Sequence, residues 1–349
     1  GTANSGASGS ISIGTGKALN AKGPGGRISI TVGSGSTNVG GSMSIVAGST
    51  TSSTHVGGLV GFLKSIRYTI NKFKPTRCII VFDGKNSSKP RQKIYPQYKA
   101  GRKIRSRLNR LVDWGGGPHD ERESMGLQLK RLVEYLECLP ITIVSIDNLE
   151  ADDIMSYIPS VVLKDSKFTI MSADKDFYQL VDDRVKLYSP TKKILYDREL
   201  VKKEFGVYPQ NVLTCRVVDG DKSDDIPGVR GIGVKTLIKE FPLLVEDREF
   251  NTKDLLDMAS SRNTRISKMI QDNELIIKRN YLLMQLGDPD IKNQTKLKIG
   301  DSVRGMAPKL VKYQLQTLFV KDKLWGQIPN FDNWLTEFNI LDHYWKNKK

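Results

Sequence analysis

Short apolar runs that each stop at acidic residues constrain the fold of this chain most. "CIIVFD" ends at Asp83, "ITIVSID" ends at Asp147, and "FTIM" is followed closely by Asp174 and Asp176. Such runs are typical of strands buried in a parallel sheet, and helical patterns lie between them. Strands that alternate with helices predict an α/β fold with a parallel sheet, whose ligands collect at the carboxyl ends of the strands. We therefore expect these acids to lie together at one edge of the sheet.

The charge composition favours a polyanionic partner. Lys and Arg number 54 against 38 for Asp and Glu, which gives a formal net charge of +16. Nucleic acid and anionic membranes both attract such a surface. The membrane interpretation weakens because no apolar run approaches the roughly 18 residues of a span, and no secretory signal opens the chain. Three scattered cysteines and three scattered histidines argue against a disulfide framework and a zinc site, so we expect a reducing, cytoplasmic setting.

Two unlike pieces meet near residue 56. Residues 1–56 are rich in Gly, Ser, Thr and Asn and contain no acid. Their short apolar segments "SISIG", "RISITVG" and "SMSIVAG" are typical of the rungs of a β-solenoid. The alternative is a flexible Gly/Ser tail. We predict no chemistry in this segment. The globular part begins with "GGLVGFLKSIRYTINKF", whose apolar residues recur at helical spacing and predict an amphipathic helix.

Three strand–helix junctions carry more acid than helix capping requires. A single acid in the first turn of a helix is usually a cap. Beyond Asp83, the acids are Glu150, Asp152 and Asp153, then Asp174 and Asp176, then Asp219, Asp221, Asp224 and Asp225. Left unpaired, such a set repels itself strongly. A hard divalent cation such as Mg²⁺ resolves the conflict, and two such ions can activate a water and hold both oxygens of an in-line phosphodiester displacement.

A glycine-rich stretch follows the last acidic group. Gly228, Gly231 and Gly233 precede Lys235 and Thr236, which open a helix. Glycines at a helix start let backbone N–H groups approach a phosphate, and the helix dipole favours the anion. Taken alone, this pattern is a turn more often than a site. After an acidic cluster in a basic chain, it predicts a clamp on a nucleic-acid backbone that needs no base readout.

The segment Lys89–Arg110, "KPRQKIYPQYKAGRKIRSRLNR", is dense in basic residues. Such a run is normally a solvated helix face. Tyr95 and Tyr98 are interleaved with the charges, so we predict that these aromatics stack on bases while Lys99 and Arg102 meet phosphates.

The position of this basic segment in the chain suggests a lid. It directly follows the predicted strand end at Asp83, and would therefore overhang the acidic pocket. "WGGGP", residues Trp114–Pro118, then breaks the helix, which is consistent with a mobile arch.

Four motifs in one order resemble the 5′ nuclease family. They are "VFDG…YPQYKAGR", "LEADD", "SADKDFYQL" and "GDKSDDIPGVRGIGVKT". The family includes flap endonucleases, the 5′-nuclease domains of bacterial DNA polymerases and the 5′→3′ exonucleases of tailed phages. The resemblance runs from about Gly57 to the C-terminus, and the last third, with "ELIIKRNYLLMQLGD" and "FDNWLTEFNILDHYW", looks most like the phage members.

The resemblance implies a role for each group of residues named above. It assigns Asp83, Glu150, Asp152 and Asp153 to a first metal group, and Asp174, Asp176, Asp221 and Asp224 to a second. Lys99 and Arg102 match the catalytic arch residues that steer the scissile phosphate. Gly228 to Thr236 match the helix–three-turn–helix that grips the duplex, often with a K⁺ ion.

The same resemblance implies an architecture and an activity. We expect a PIN-like nuclease core at 57–200 with a basic arch at about 85–125, followed at 201–349 by the helix–three-turn–helix and a C-terminal helical region. The expected activity is a structure-specific 5′ nuclease, a 5′→3′ exonuclease or flap endonuclease that uses two Mg²⁺ or Mn²⁺ ions to remove RNA primers in phage DNA replication. Expected partners are branched or 5′-ended duplex DNA, RNA/DNA hybrids, and a single-strand binding protein or polymerase clamp. A monomer in the host cytoplasm is expected.

One feature departs from the family pattern. Family members begin with a central strand that ends in an Asp, whereas this sequence has no acid before Asp83. By spacing, Ile30–Ser36 falls at that strand; by appearance, Ile45–Ser49 also fits, with Ala47 where the Asp is expected. Either a repeat fragment supplies the strand or the sheet lacks it. The alternative function is therefore a DNA-binding homologue whose catalysis is weakened or lost.

Overall fold

The computed structural model describes residues 56–101 and 118–341, with side chains from residue 123 onward in the second range. The predictions for residues 1–55, including the two candidate first strands and Ala47, lie outside the described residues. So do Arg102, most of the predicted arch, and the last eight residues of "FDNWLTEFNILDHYWKNKK".

The first helix forms where the apolar spacing predicts it. Helix α1 spans Gly57–Phe73 and buries Leu59, Leu63 and Ile70 on one face. It ends at Lys74, whose backbone is left-handed with φ of 44° and whose N–H donates to the Ile70 carbonyl.

Parallel strands carry the acids, as predicted. Strand β1 (Ile79–Asp83) pairs in parallel with β2 (Thr142–Ile146), and Asp83 lies opposite Ile146. Strand β3 (Phe168–Met171) pairs in parallel with β4 (Val185–Ser189), and β5 (Ile194–Tyr196) adds an antiparallel edge to β4. The α/β fold with a parallel sheet is thus confirmed.

The apolar sequence of β1 predicts a strand buried in a parallel sheet. Both of its faces pack against apolar residues: Ile80 and Phe82 against one core, and Ile79 and Val81 against another. The four residues from Ile79 to Phe82 are all only half-buried. Among residues 56–101 and 118–341, β1 pairs with β2 alone and β3 pairs with β4 alone. Within the described residues, no further strand covers the second edge of β1 or of β3.

Helices account for most of the remaining described residues. They are α2 (Lys89–Ile94), α3 (Pro118–Glu137), α4 (Ala151–Tyr157), α5 (Arg198–Phe205), α6 (Pro209–Asp219), α7 (Val234–Glu240), α8 (Thr252–Ser260), α9 (Arg265–Asp272), α10 (Glu274–Met284), α11 (Asn293–Arg304), α12 (Lys312–Lys321) and α13 (Phe331–Thr336). A short hairpin of β6 (Gly220–Asp221) and β7 (Ile226–Pro227) follows α6. None of the helices in the described ranges combines the length and apolar composition that a membrane span needs.

Two large cores hold these elements together. The first runs from Ile170 to Leu286 and buries residues of β3, β4 and α5 to α10. The second packs α1 and α3 against α12 and α13, with Trp334 and Phe338 almost fully buried. The first core contains residues from both sides of residue 200, and the domain division drawn there stays a prediction.

The Glu204 carboxylate ties α5 to the sheet edge and gives a testable pH dependence. It accepts hydrogen bonds from Lys192 Nζ at 2.6 Å, Tyr196 Oη at 2.5 Å and Tyr178 Oη at 3.1 Å. Burial works to raise its pKa, but these three donors outweigh burial and lower the pKa to about 2.

We expect Glu204→Gln to lower the free energy of unfolding by about 1–2 kcal/mol at pH 7, because the charged acceptor is lost. A carboxylate whose pKa is lowered on folding stabilises the protein above its unfolded pKa of about 4.3. The difference between the variant and the unaltered protein should therefore shrink as the pH falls from about 4 to about 2. Urea denaturation across this range measures it. The exposed Glu249 provides the control Glu249→Gln, and an equal loss in both variants would contradict the prediction.

Candidate active site

The ends of β1 and β2 approach each other closely at the acidic edge. A Cβ atom on Gly84 would lie 1.8 Å from the Ile146 carbonyl oxygen, so only glycine fits directly after Asp83. Asp83 Oδ1 accepts a hydrogen bond from the Ala151 backbone N–H at 2.8 Å, which links the end of β1 to the start of α4. Glu150 is the N-cap residue of that helix. The register of two parallel strands thus places Asp83 beside the sequence "LEADD".

Asp152 carries charge that no described partner compensates directly. Its side chain forms no hydrogen bond or ion pair with another residue in the described ranges. Burial raises the pKa of Asp152 to about 7, and the negative charges of Asp174, Glu150 and Asp83 raise it further while Lys99 opposes them. Asp83 is next to this helix through its hydrogen bond from the Ala151 N–H, and the charge of Asp174 is near enough to raise the pKa of Asp152. That these acids form one metal site stays a prediction.

Glu150 and Asp153 are neutralised from within the protein by Arg91 of α2. The guanidinium donates to both carboxylate oxygens of Asp153, at 2.8 and 2.7 Å, and to Glu150 Oε2 at 3.0 Å. All three side chains are nearly buried. Burial works to lower the pKa of Arg91, but Asp153 and Glu150 outweigh it and raise that pKa, so the guanidinium stays charged.

Lys99 lies beside the acids, and its predicted role at the scissile phosphate stays a prediction. Its Nζ lies 2.8 Å from Glu150 Oε1 and 3.8 Å from Asp224 Oδ2. Its backbone is left-handed, with φ of 56°, and its N–H donates to the Asp224 carbonyl at 2.9 Å. Gly101 N donates to Asp225 Oδ2 at 2.6 Å. The base of the predicted arch is therefore attached to the last acidic loop.

Base stacking by Tyr98 is a wrong prediction. The ring of Tyr98 is 2% exposed, and its hydroxyl donates to Glu150 Oε2 at 2.9 Å. It packs with Ile226, Leu283 and Met284. An apolar ring beside a buried carboxylate is more stable inside, where it supplies a hydrogen bond, than on the surface. Tyr95 is half-buried, with the Arg279 guanidinium 4.3 Å from its ring centroid.

The second acidic group is organised around Arg216 of α6. Arg216 Nη2 contacts Asp176 Oδ1 and lies 2.5 Å from Asp221 Oδ2. Burial raises the pKa of Asp176 to about 6 despite Arg216, with Asp174 and Asp221 adding to the rise. For Asp221, hydrogen bonds from Ser223 and the charge of Arg216 outweigh burial and lower the pKa. Asp174 is exposed and caps the turn before Asp176, whose N–H donates to it at 2.9 Å.

The glycine-rich stretch joins α6 to α7. A Cβ atom on Gly228 would lie 2.2 Å from the Asp219 carbonyl oxygen, and Gly231 has a φ of 84°, so both positions favour glycine. Gly233 is the N-cap residue of α7 and supplies no side-chain cap. Lys235 is exposed and Thr236 is half-buried in the first turn. The predicted helix–loop–helix is present, and its contact with DNA stays a prediction.

Carboxylates are suitable ligands for a divalent cation, although the described ones do not form a complete coordination site. Within the described ranges, no group of three or more Asp, Glu, His or Cys residues is arranged to hold a metal ion. The uncompensated charge on Asp152, beside Asp83 and Asp174, is nevertheless the environment that a hard cation relieves. A metal bound by these three acids would break no ion pair between described residues, whereas Glu150, Asp153, Asp176 and Asp221 are already paired with Arg91 or Arg216.

Sequence reasoning missed the two arginines that pair with the acids. Arg91 lies in a basic run, and such a run normally predicts a solvent-exposed helix face. Arg216 lies between Cys215 and Val217, which are both fully buried. A single Arg in an apolar helix just before Asp221 is the sequence signal that could have predicted this ion pair. Arg91 lies 59 residues before Glu150 and 62 before Asp153, and Arg216 lies 40 residues after Asp176. Only Asp221 is close in sequence to its arginine, five residues after Arg216.

Comparison with known proteins finds a family model that matches the part of the chain containing most of these acids. Residues 44–206 match the family model described as 5′-3′ exonuclease, N-terminal resolvase-like domain. Over this range the chain is similar to the 5′-3′ exonuclease family. The matched range contains the acids at the end of β1, at the start of α4 and just after β3, so the predicted resemblance to 5′ nucleases is confirmed.

Two relatives are similar to this chain over about half of its length. A 5′-3′ exonuclease of Aquifex aeolicus is 32% identical over 181 residues, covering 52% of this chain and 57% of that protein. A 5′-3′ exonuclease of Buchnera aphidicola (subsp. Schizaphis graminum) is 31% identical over 190 residues, covering 53% and 60%. The chain thus spans less than two thirds of the length of these relatives.

The bacteriophage T5 flap endonuclease, solved as a pseudo-enzyme–product complex with DNA and metal ions, is similar with a TM-score of 0.55. It is 19% identical, and the match covers 76% of this chain and 91% of that one. At this identity the likeness concerns the fold, and it confirms the predicted PIN-like 5′-nuclease architecture.

Proposed function

We propose that this protein is a metal-dependent 5′ nuclease that hydrolyses phosphodiesters in 5′-ended or flapped duplex DNA and in RNA/DNA hybrids. The observation that carries the proposal is the uncompensated charge of Asp152 beside Asp83 and Asp174, at the carboxyl ends of parallel strands. The basic chain collects the phosphate backbone, and the acidic pocket would hold the cation that neutralises the cleaved group.

Asp83, Asp152 and Asp174 would hold the first Mg²⁺ or Mn²⁺, and Asp176, Asp221 and Asp224 would lie around a second. When bound, such ions lower the pKa of water and offset charge on the phosphate. Lys99 lies between Glu150 and Asp224, so its ammonium is placed to meet a phosphate oxygen that enters the pocket. Arg102 would act three residues further along the arch.

The loop between α6 and α7 would bind the duplex away from the cleaved bond. Its glycines expose backbone groups, and Lys235 is exposed at the start of α7. Backbone contacts of this kind position a duplex without reading its sequence. A K⁺ ion on the carbonyl oxygens of this loop is part of the proposal, as are the monomeric state and association with a single-strand binding protein or polymerase clamp.

The experiment is cleavage of a duplex with a 5′-labelled flap by the purified full chain. We expect product with about 5 mM Mg²⁺ or Mn²⁺ and none after EDTA, because water activation and charge neutralisation need the cation. Restoring excess Mg²⁺ should restore cleavage. An RNA 5′ end on the same duplex tests the primer substrate.

A duplex of the same sequence without a flap or free 5′ end is the matched substrate control. Equal cleavage of both substrates would contradict structure specificity. Tight binding of the flap without cutting, even in Mn²⁺, would overturn the nuclease proposal in favour of a non-cleaving DNA-binding homologue.

A further inference from the structure

The contacts of Arg91 are more specific than simple charge neutralisation requires. Besides its three bonds to Asp153 and Glu150, its Nε donates to the Leu283 carbonyl of α10 at 2.8 Å. The side chain is 11% exposed. A guanidinium fork fixed on three sides is held in one orientation, and it fixes in turn the carboxylates that it contacts.

We propose that Arg91 is a positioning residue: it reserves Asp153 for a structural ion pair, leaves Asp152 as the metal ligand of the pair, and holds Glu150 so that its second oxygen places Lys99. This inference rests on the proposed nuclease function and divides the acids of "LEADD" into two roles.

Asp153 is poorly placed to bind a metal. Both of its carboxylate oxygens accept bonds from Arg91, and its side chain is 8% exposed. Releasing either oxygen to a cation would leave a buried guanidinium with a broken pair, which is strongly unfavourable. Asp152 is the preceding residue of α4 and has no such partner in the described ranges. The sequence alone predicts the same metal-binding role for Asp152 and Asp153, whereas in the structure only Asp153 is paired with Arg91.

Glu150 connects Arg91 to Lys99. Its Oε2 accepts from Arg91 Nη1 at 3.0 Å and from the Tyr98 hydroxyl at 2.9 Å. Its Oε1 accepts from Lys99 Nζ at 2.8 Å. With Oε2 held by two donors, the carboxylate plane is fixed and the ammonium has a defined position. Moving a reacting group by about 1 Å can cost a factor of 100 in rate.

The first test measures Mn²⁺ binding to the full chain without DNA, by the electron paramagnetic resonance signal of free Mn²⁺. We expect Asp152→Asn to weaken binding at least about tenfold, since a charged ligand is lost. We expect Asp153→Asn to stay within about threefold of the unaltered protein. Equal losses in the two variants would overturn this inference while leaving the proposed function intact. No Mn²⁺ binding to the unaltered protein would overturn the proposed function and this inference with it.

The second test uses Arg91→Lys, which keeps the charge but cannot form the two-pronged contact with Asp153 and also reach Glu150. At saturating flap substrate, we expect the single-turnover cleavage rate per folded molecule to fall about 10- to 100-fold, with the DNA Kd within about threefold.

Arg131→Lys is the matched control, because Arg131 forms a comparable two-pronged pair with Asp322, at 2.7 and 3.0 Å, between α3 and the end of α12. Both variants should lose stability in urea, and only Arg91→Lys should lose rate per folded molecule. An unchanged rate in Arg91→Lys would show that Arg91 is merely structural and overturn the proposal.

Discussion

Asp152→Asn is expected to slow cleavage of a 5′-flap duplex at least about 1,000-fold, equivalent to about 4 kcal/mol of transition-state stabilisation. The substitution keeps the shape of the side chain and removes its charge. Asp152 is the acid of "LEADD" that forms no ion pair with a described residue. The negative charges of Asp174 and Asp83 raise its pKa. Its loss would therefore remove a ligand that Glu150 and Asp153 cannot replace without breaking their ion pairs with Arg91.

Single-turnover cleavage at saturating substrate measures this loss, and fluorescence anisotropy with Ca²⁺ in place of Mg²⁺ measures DNA binding separately. The DNA Kd should stay within about threefold, because the phosphate contacts of the basic surface remain. Asp165→Asn is the control, since Asp165 is an exposed acid in the loop before β3. Retention of more than about a tenth of the rate by Asp152→Asn would contradict the metal role.

Arg216→Met is expected to lower the free energy of unfolding by about 3 kcal/mol in metal-free buffer. Arg216 is the cation that Asp176 and Asp221 share, and its side chain is 17% exposed. Removing it leaves two acids facing each other in a partly buried site, with Asp174 adding to the repulsion at Asp176. Urea denaturation in EDTA measures the loss.

Divalent cations should reverse part of this loss if Asp176 and Asp221 bind metal. At about 100 times its Kd, Mg²⁺ would restore about 2.7 kcal/mol, because it binds the folded state only. Arg265→Met is the control, since Arg265 is exposed on α9 and forms no ion pair within the described residues. Full stability of Arg216→Met in EDTA would contradict the prediction. A loss that Mg²⁺ fails to reverse would show that these two acids serve Arg216 alone.

The sequence by itself determined the elements and the convergence of the acids. Apolar runs that stop at acids predicted β1, β2 and β3, and the helical spacing from Leu59 to Ile70 predicted α1. Because parallel strands end at one edge, the same pattern predicts that Asp83, Asp152 and Asp174 lie near one another. The apolar runs and the helical spacing are both local patterns, because the residues that form one strand or helix are close together in the chain.

Only the tertiary structure decided which acids are paired. Arg91 precedes Asp153 by 62 residues and Arg216 follows Asp176 by 40, so no local pattern records these contacts. The fate of Tyr98 was hidden for the same reason: a tyrosine within a basic run is exposed or buried according to what packs over it. Charge pairing and burial depend on neighbours that are distant in the chain, whereas strand and helix patterns depend on neighbours that are close.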